Sequence, residues 1–343
     1  YQGNLNAISP AAYNNVEGLN LEPGTYISII GKDDSSSYWT NVKKGVMQAA
    51  DDLNKELGYK GSDKIKVTYN APAKSEDIDE QVNILDEELS RYPDAVGIAS
   101  IDSAACSVQF DLATANGIPI ISLDSGNEYK GIQCIVKTDN EDAARTGAYK
   151  LANEIGNEGQ VILVVHDSNS ETAKERAKSF EEEIKNNYPS VSIVETIYCD
   201  KLDDLKKKIA VEKDPNISED LQKAAVEKMT DDEVMQYYLE KYPDLKGVFG
   251  TNESSTIFAL EALQKTELAG KVALVGFDIS EEQTAAIKNG EIAGLVVQNP
   301  FGMGYASVVA AARTVLQSGN EAVVDTGYIW VTKDNLEDES IQN

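Results

Sequence analysis

From residue 25 onward, short apolar runs rich in β-branched residues alternate with longer stretches in which apolar residues recur at helical spacing. Residues 25–30 predict a strand, and 38–57 a helix with Val42, Val46, Ala49, Ala50 and Leu53 along one face. Strands follow at 65–69, 95–99, 118–123 and 132–136, with helices at 76–92 and 103–116 between them. The pattern goes on through helix 141–155, strand 160–165, helix 172–187 and strand 192–198. After a break it resumes with strands at 247–250, 272–276 and 292–298 and helices at 254–265, 281–289 and 303–317. Strands separated by helices build βαβ units, whose parallel sheets are covered on both faces. There are too many strands for one comfortable sheet, so the predicted fold class is α/β with two doubly wound parallel-sheet lobes.

Two segments break the rhythm. Residues 1–24 form a polar opening with Pro10, Pro23 and several Asn, and are set apart as an N-terminal extension. Residues 201–242 carry dense charge, Lys206-Lys207-Lys208 and then Asp231-Asp232-Glu233, around helical spacing at Leu221, Ala225 and Met229. That predicts two or three solvent-facing helices inserted before the strand at 247, and the preferred reading is a decorated crossover with no function of its own.

Composition narrows the function classes. With 343 residues and 41% hydrophobic content the chain can bury real cores. No apolar run approaches the roughly 18 residues a membrane helix needs. No signal peptide is visible at Tyr1-Gln2-Gly3-Asn4, and since a leader can be removed this says nothing about compartment. The formal net charge of −27 repels phosphate backbones and anionic lipid heads, so nucleic acid is excluded as a partner and a neutral or cationic small molecule fits. Cys106, Cys134 and Cys199 form no CxxC pair, which excludes a disulfide framework and the usual cysteine zinc site. Asp33-Asp34 and Asp231-Asp232 lack calcium-loop spacing, so neither metal nor cofactor is expected.

An enzyme finds no support. There is no GxSxG elbow, HExxH, P-loop or strand-anchored GxGxxG. The single histidine, His166, ends a predicted strand without a partner nucleophile, and is read as structural or solvated. What the pattern does place together is polar and aromatic side chains at the carboxyl ends of successive strands, the edge where open α/β sheets bind ligands. After the first strand come Ser36, Tyr38 and Trp39; later strands end at Ser100, Asp124, Thr138, Asn252, Asp278 and Gln298. Each alone is more simply a helix cap or a core residue. Together they describe a cleft with forked hydrogen-bonding groups and an aromatic wall, which suits vicinal hydroxyls and the C–H face of a sugar.

In the order and spacing of its motifs the chain resembles the type I periplasmic sugar-binding proteins, in the branch that contains the ribose-binding protein. The likeness covers about residues 25–333. Its markers are Tyr38-Trp39 with Val42-Lys43-Lys44-Gly45, Gly117 to Asp124, Thr138-Asp139-Asn140, Ala173-Lys174-Glu175-Arg176, Gly247 to Glu253, Leu274 to Asp278, and Gln298. The resemblance implies no catalytic residues. It implies ligand roles for the stacking pair Tyr38 and Trp39, for Asp124 as the acceptor of two hydroxyls, for Arg176, and for Asn252, Asp278 and Gln298. It also implies a first lobe of residues 25–138 plus 299–325, a second of 139–298 plus 326–343, three crossovers between them, and hinge closure on ligand.

Departures shift the expected sugar. Where ribose binders follow the first-lobe aspartate with an arginine stands Ser125; their second-lobe aromatic falls near Lys201; their asparagine before the aromatic pair is Ser36. A hexose or a 6-deoxyhexose such as rhamnose is therefore as fitting as a pentose. The implied function is that of an extracytoplasmic receptor, monomeric and either periplasmic or a cell-surface lipoprotein in the manner of such receptors, that delivers sugar to the membrane permease of an ABC transporter. The alternative is a ligand-sensing domain of a signalling protein or transcription regulator with the same fold. A repressor needs a basic DNA-reading segment ahead of the first strand, and residues 1–24 contain no Lys or Arg.

Overall fold

The structure, a computed structural model, describes residues 10–337. Strands β1 (Tyr26–Ile30), β2 (Lys66–Asn70), β3 (Ala95–Ile98), β4 (Ile120–Leu123) and β5 (Ile135–Lys137) lie in one sheet. Strands β6 (Gly159–Val165), β7 (Val191–Tyr198), β8 (Leu245–Gly250), β9 (Ala273–Phe277) and β10 (Gly294–Gln298) lie in a second. The chain then returns to the first sheet with β11 (Val323–Asp325) and to the second with β12 (Tyr328–Val331). The two orders, β11-β5-β4-β3-β1-β2 and β12-β10-β9-β8-β6-β7, match position by position, so one doubly wound design is used twice. Only β12 runs antiparallel to its neighbour. The chain passes between the sheets after β5, after β10 and after β11.

The first sheet is flanked by α1 (Ser37–Leu57), α2 (Ile78–Leu89) and α3 (Ser107–Ala115), the second by α4 (Asn140–Glu154) and α5 (Glu171–Asn187). Helices α6 (Leu202–Lys213), α7 (Glu219–Lys228) and α8 (Asp231–Lys241) fill the connection from β7 to β8. Helices α9 (Glu253–Lys265) and α10 (Glu281–Lys288) follow in the second lobe, and α11 (Pro300–Val315) returns to the first. Helix starts are set locally: Ser36, Asp139, Ser170 and Asn252 each accept a backbone N–H three residues on. The start at Pro300 lies ahead of the expected position 303, because Asn299 caps it and proline at the first turn needs no donor.

Three expectations change. The short closing strands β11 and β12 were not foreseen. The part of the N-terminal extension from residue 10 on is no loose tail: Tyr13, Val16, Leu19 and Leu21 are buried in the first-lobe core, and Tyr13 donates to Asn320 Oδ1 at 2.9 Å. The helical insertion is not wholly solvent-facing either. Although α7 buries nothing, Leu202, Ile209, Val234, Met235 and Tyr238 join the second-lobe core, because α6 and α8 each keep one apolar face beneath their charges.

Each apolar cluster belongs to one lobe, and among the described residues none spans both. The first lobe closes through an intimate crossing of α1 and α11. A Cβ on Gly45 would lie 2.0 Å from the Phe301 carbonyl oxygen, and one on Gly304 2.0 Å from the Val42 carbonyl oxygen. Backbone occupies the space, so no side chain can turn away to make room. Gly45→Ala is expected to destabilise the protein by about 2 kcal/mol or more, read from denaturant unfolding; a change of only a few tenths would show that the helices part easily.

Candidate ligand-binding site

The carboxyl edges of the two sheets face each other across a cavity of about 350 Å³. The repeated fold delivers one aspartate to each wall. Asp124 follows β4 and Asp278 follows β9; both have left-handed backbone, φ 60° and 65°. In each case the aspartate N–H donates at 2.7 Å to the neighbouring strand, to Val136 O and Val296 O. Aspartate tolerates this conformation better than most residues, and such outliers concentrate where a side chain must be aimed.

Between the aspartates lies a shared polar network. Gln298, at the end of β10, donates its Nε2 to both Asp278 oxygens at 3.1 and 2.9 Å. Its Oε1 accepts from Thr138 Oγ1 at 2.7 Å and from Arg176 Nη2 at 3.0 Å. Arg176 is only 2% exposed and makes no ion pair: Nε donates to Asn140 Oδ1 and Nη1 to the Thr251 carbonyl, while the guanidinium lies over the Phe277 ring, 4.3 Å from its centroid. Its charge is therefore held by neutral acceptors and a ring face.

On the first-lobe side, Tyr38 donates to Asp124 Oδ1 at 2.7 Å, and Lys32 Nζ stands 3.4 Å from Asp124 Oδ2. Lys32 also donates to Ser125 Oγ at 2.9 Å, filling with one ammonium the place where the sequence lacks a forked cation. Tyr38 and Trp39 meet edge to face, centroids 5.3 Å apart, so only one of them can present a broad face to a ligand. Tyr38 is committed through its hydroxyl, which leaves Trp39 as the flat wall.

Of the residues expected at the site, Ser36, Tyr38, Trp39, Asp124, Arg176, Asn252, Asp278 and Gln298 all line this one cavity. Ser36 also caps α1, and Asn252 caps α9 through Oδ1. Ser100 and Thr138 stand behind the lining: Ser100 accepts from Asn127, and Thr138 orients Gln298. Both are buried, and neither is among the residues that line the cavity.

Sequence reasoning missed Lys32, Thr172 and Phe258, and placed His166 outside the chemistry. His166 lines the cavity, with Nδ1 2.7 Å from Thr251 Oγ1 and Nε2 3.4 Å from Thr172 Oγ1. Burial holds its pKa far below the ordinary imidazole value, with Arg176 and Lys32 adding to the effect, so the ring is neutral at physiological pH. Cys106, Cys134 and Cys199 are free thiols, and no group of acidic, His or Cys side chains among the described residues could hold a metal ion.

Two matched α/β lobes, with a buried polar network aimed into the cleft between them, define a two-lobed ligand-binding protein. The chain belongs to the periplasmic binding protein family: the family's "Periplasmic binding protein domain" matches residues 27–320. The ribose import binding protein of Bacillus subtilis is 23% identical over 278 residues, covering 81% of this chain and 77% of that protein. The ribose import binding protein of Escherichia coli is 23% identical over 310 residues, 90% of each. Among solved structures, a carbohydrate transporter solute-binding protein from Agrobacterium radiobacter in complex with D-arabinose is 28% identical with a TM-score of 0.75, covering 92% of this chain and 97% of that one. A solute-binding protein of an ABC transporter from Agrobacterium vitis with bound D-fucose is 25% identical, with a TM-score of 0.75, covering 93% and 99%. These relatives are binding proteins of transport systems, and the chain is of their kind rather than an enzyme.

Burial raises the Asp278 pKa from 3.8 to about 7, with Arg176 acting in the opposite direction and Glu253 adding to the rise. The unfolded chain loses this proton near pH 4, whereas the folded protein keeps it to about pH 7. Folded-state stability contributed by this group is thus present at acid pH and falls as pH rises through that window, by an amount on the order of a few kcal/mol. Melting curves of the ligand-free protein at pH 5 and pH 8 check this. The wild type is expected to lose stability relative to Asp278→Asn between the two; a constant difference would mean that Asp278 is already ionised at pH 5.

Proposed function

We propose that the chain is the extracytoplasmic solute receptor of an ABC sugar importer, closing its lobes on a sugar and presenting the closed form to a membrane permease. The observation that carries the reading is the cleft floor. Asp124 and Asp278 approach from the two lobes, Arg176 and Gln298 sit between them, and Trp39 forms an aromatic wall. Carboxylates and a forked amide and guanidinium match adjacent hydroxyls, while the indole face covers the C–H side of the ring. The ribose, arabinose and fucose named for its relatives support a neutral pentose, hexose or 6-deoxyhexose ring in the same place.

Closure follows from the same residues. The lobes touch through polar pairs, such as Ser37 Oγ to Glu253 Oε1 at 2.8 Å and Lys174 Nζ to Ser103 Oγ at 3.3 Å, with no shared apolar core. A ligand bridging both walls adds what these pairs lack, and so favours the closed form by its differential affinity.

A thermal-shift screen against monosaccharides, deoxysugars, polyols and non-sugar controls tests the reading. A sugar at a hundredfold excess over its Kd is expected to stabilise the fold by about 2.7 kcal/mol. A cooperative melt that no sugar moves would overturn it. For the sugar found, Trp39→Ala is expected to weaken binding more than tenfold, about 1.4 kcal/mol, by calorimetry; unchanged affinity would remove the indole from the site.

A further inference from the structure

The cavity is larger than the constellation at its floor requires. Its volume of about 350 Å³ reaches the range of roughly 300–1,000 Å³ that holds drug-sized ligands. Its lining is not uniform. The floor residues are buried, whereas Glu76, Asp200 and Asp231, on the same cavity wall, are exposed and mark its mouth. Apolar lining comes from the second lobe, from Leu202 at the start of α6 and Phe258 in α9.

The β7–β8 connection is what builds this mouth. Leu202 and Asp231 are the first residues of α6 and α8; Lys206 Nζ of α6 ties the two helices together through Asp231 at 2.8 Å and also meets Asp203 of its own helix at 3.4 Å. The insertion therefore reaches the cleft with its helix starts, and only α7 stands clear of the core. The mouth combines an apolar patch with hydrogen-bond acceptors; the cations among the described lining residues, Lys32 and Arg176, are buried at the floor, and Lys206 nearby is spent on Asp231 and Asp203. Such a surface suits an uncharged unit with hydroxyls at its edge and repels an anionic one.

We propose that the cleft takes a sugar in glycosidic linkage, with one ring on the floor and a second, uncharged, ring-sized unit seated in the mouth against Leu202 and Phe258. This rests on the sugar reading above and names the class of sugar.

Calorimetry on the full chain tests it with free monosaccharides, their benzyl glycosides, disaccharides sharing the same terminal ring, and the corresponding glucuronide-type disaccharides. At least one uncharged disaccharide or benzyl glycoside is expected to bind tenfold or more tightly than its free monosaccharide. Phe258→Ala, at a half-buried position, should bring the two affinities together, and Ser75→Trp at the rim should block the longer ligand selectively; melting curves confirm that both variants fold. A monosaccharide that binds as tightly as all its glycosides would overturn the proposal while leaving the receptor reading intact. So would a Phe258→Ala loss that is equal for both forms, or tightest binding of an anionic disaccharide. If no sugar of any length binds, it is the sugar reading that fails, and the proposal with it.

Discussion

The side-chain amide of Gln298 is bonded on every side, and the cleft is organised around that fact. Its N–H₂ spans the carboxylate of Asp278, and its oxygen takes a hydroxyl proton from Thr138 and an N–H from Arg176. Gln298 is 2% exposed, and a buried amide left without partners is costly, so these neighbours are held where the amide needs them. They come from different stretches: Thr138 follows β5 at one passage between the sheets, and Gln298 precedes another. One residue thus links the chain passages between the sheets to the arginine and aspartate that line the cavity. On the proposed reading, motion of the lobes and geometry of the floor are coupled through it.

The electrostatics follow from the same economy of partners. The chain is strongly acidic, yet the cleft holds two buried cations, handled in different ways. Lys32 stands beside Asp124, a charge balanced in place. Arg176 has only neutral acceptors and the Phe277 face, while the carboxyl nearest in function, Asp278, is pushed by burial toward its protonated form. Asp278 is therefore poised between charge states, and neutral hydroxyls can serve either state, since they both donate and accept.

Much of this was readable in the sequence because the fold is periodic. Long βαβ repeats fix the sheets, and the carboxyl-end rule then points to Tyr38, Trp39, Asp124, Asn252, Asp278 and Gln298 without any knowledge of contacts, whereas Arg176, inside a helix, came only from the family resemblance. What escaped lacks a periodic signal. Strand β11 has three residues and β12 four, too short for alternation to show. Tyr13, Val16, Leu19 and Leu21 are spaced irregularly among Asn and Gly, and only the α1–α11 surface makes sense of them. Lys32 is one cation after a strand; its role depends on Ser125 being small and on the turned backbone at Asp124, both tertiary facts. Ser100 and Thr138 satisfied the strand-end rule but lie behind other side chains, because the rule gives the edge and not the depth.

Depth is also what separates the two members of the aromatic pair. Adjacent residues at a helix start point about 100° apart, so Tyr38 and Trp39 cannot share one face of a sugar. The edge-to-face contact shows how the difference is used: Tyr38 supports the indole and sends its hydroxyl to Asp124, while Trp39 keeps its plane for packing. Asp124 is then not an idle acceptor waiting for hydroxyls. One oxygen already holds the Tyr38 proton and the other faces Lys32, so a ligand hydroxyl gains only the difference between its own bond and those it displaces or shares. A ligand with its hydroxyls in the wrong geometry would break the Tyr38 bond without replacing it. On the proposed reading, selectivity at this wall comes less from the number of donors offered than from the preorganised pair that any ligand must match.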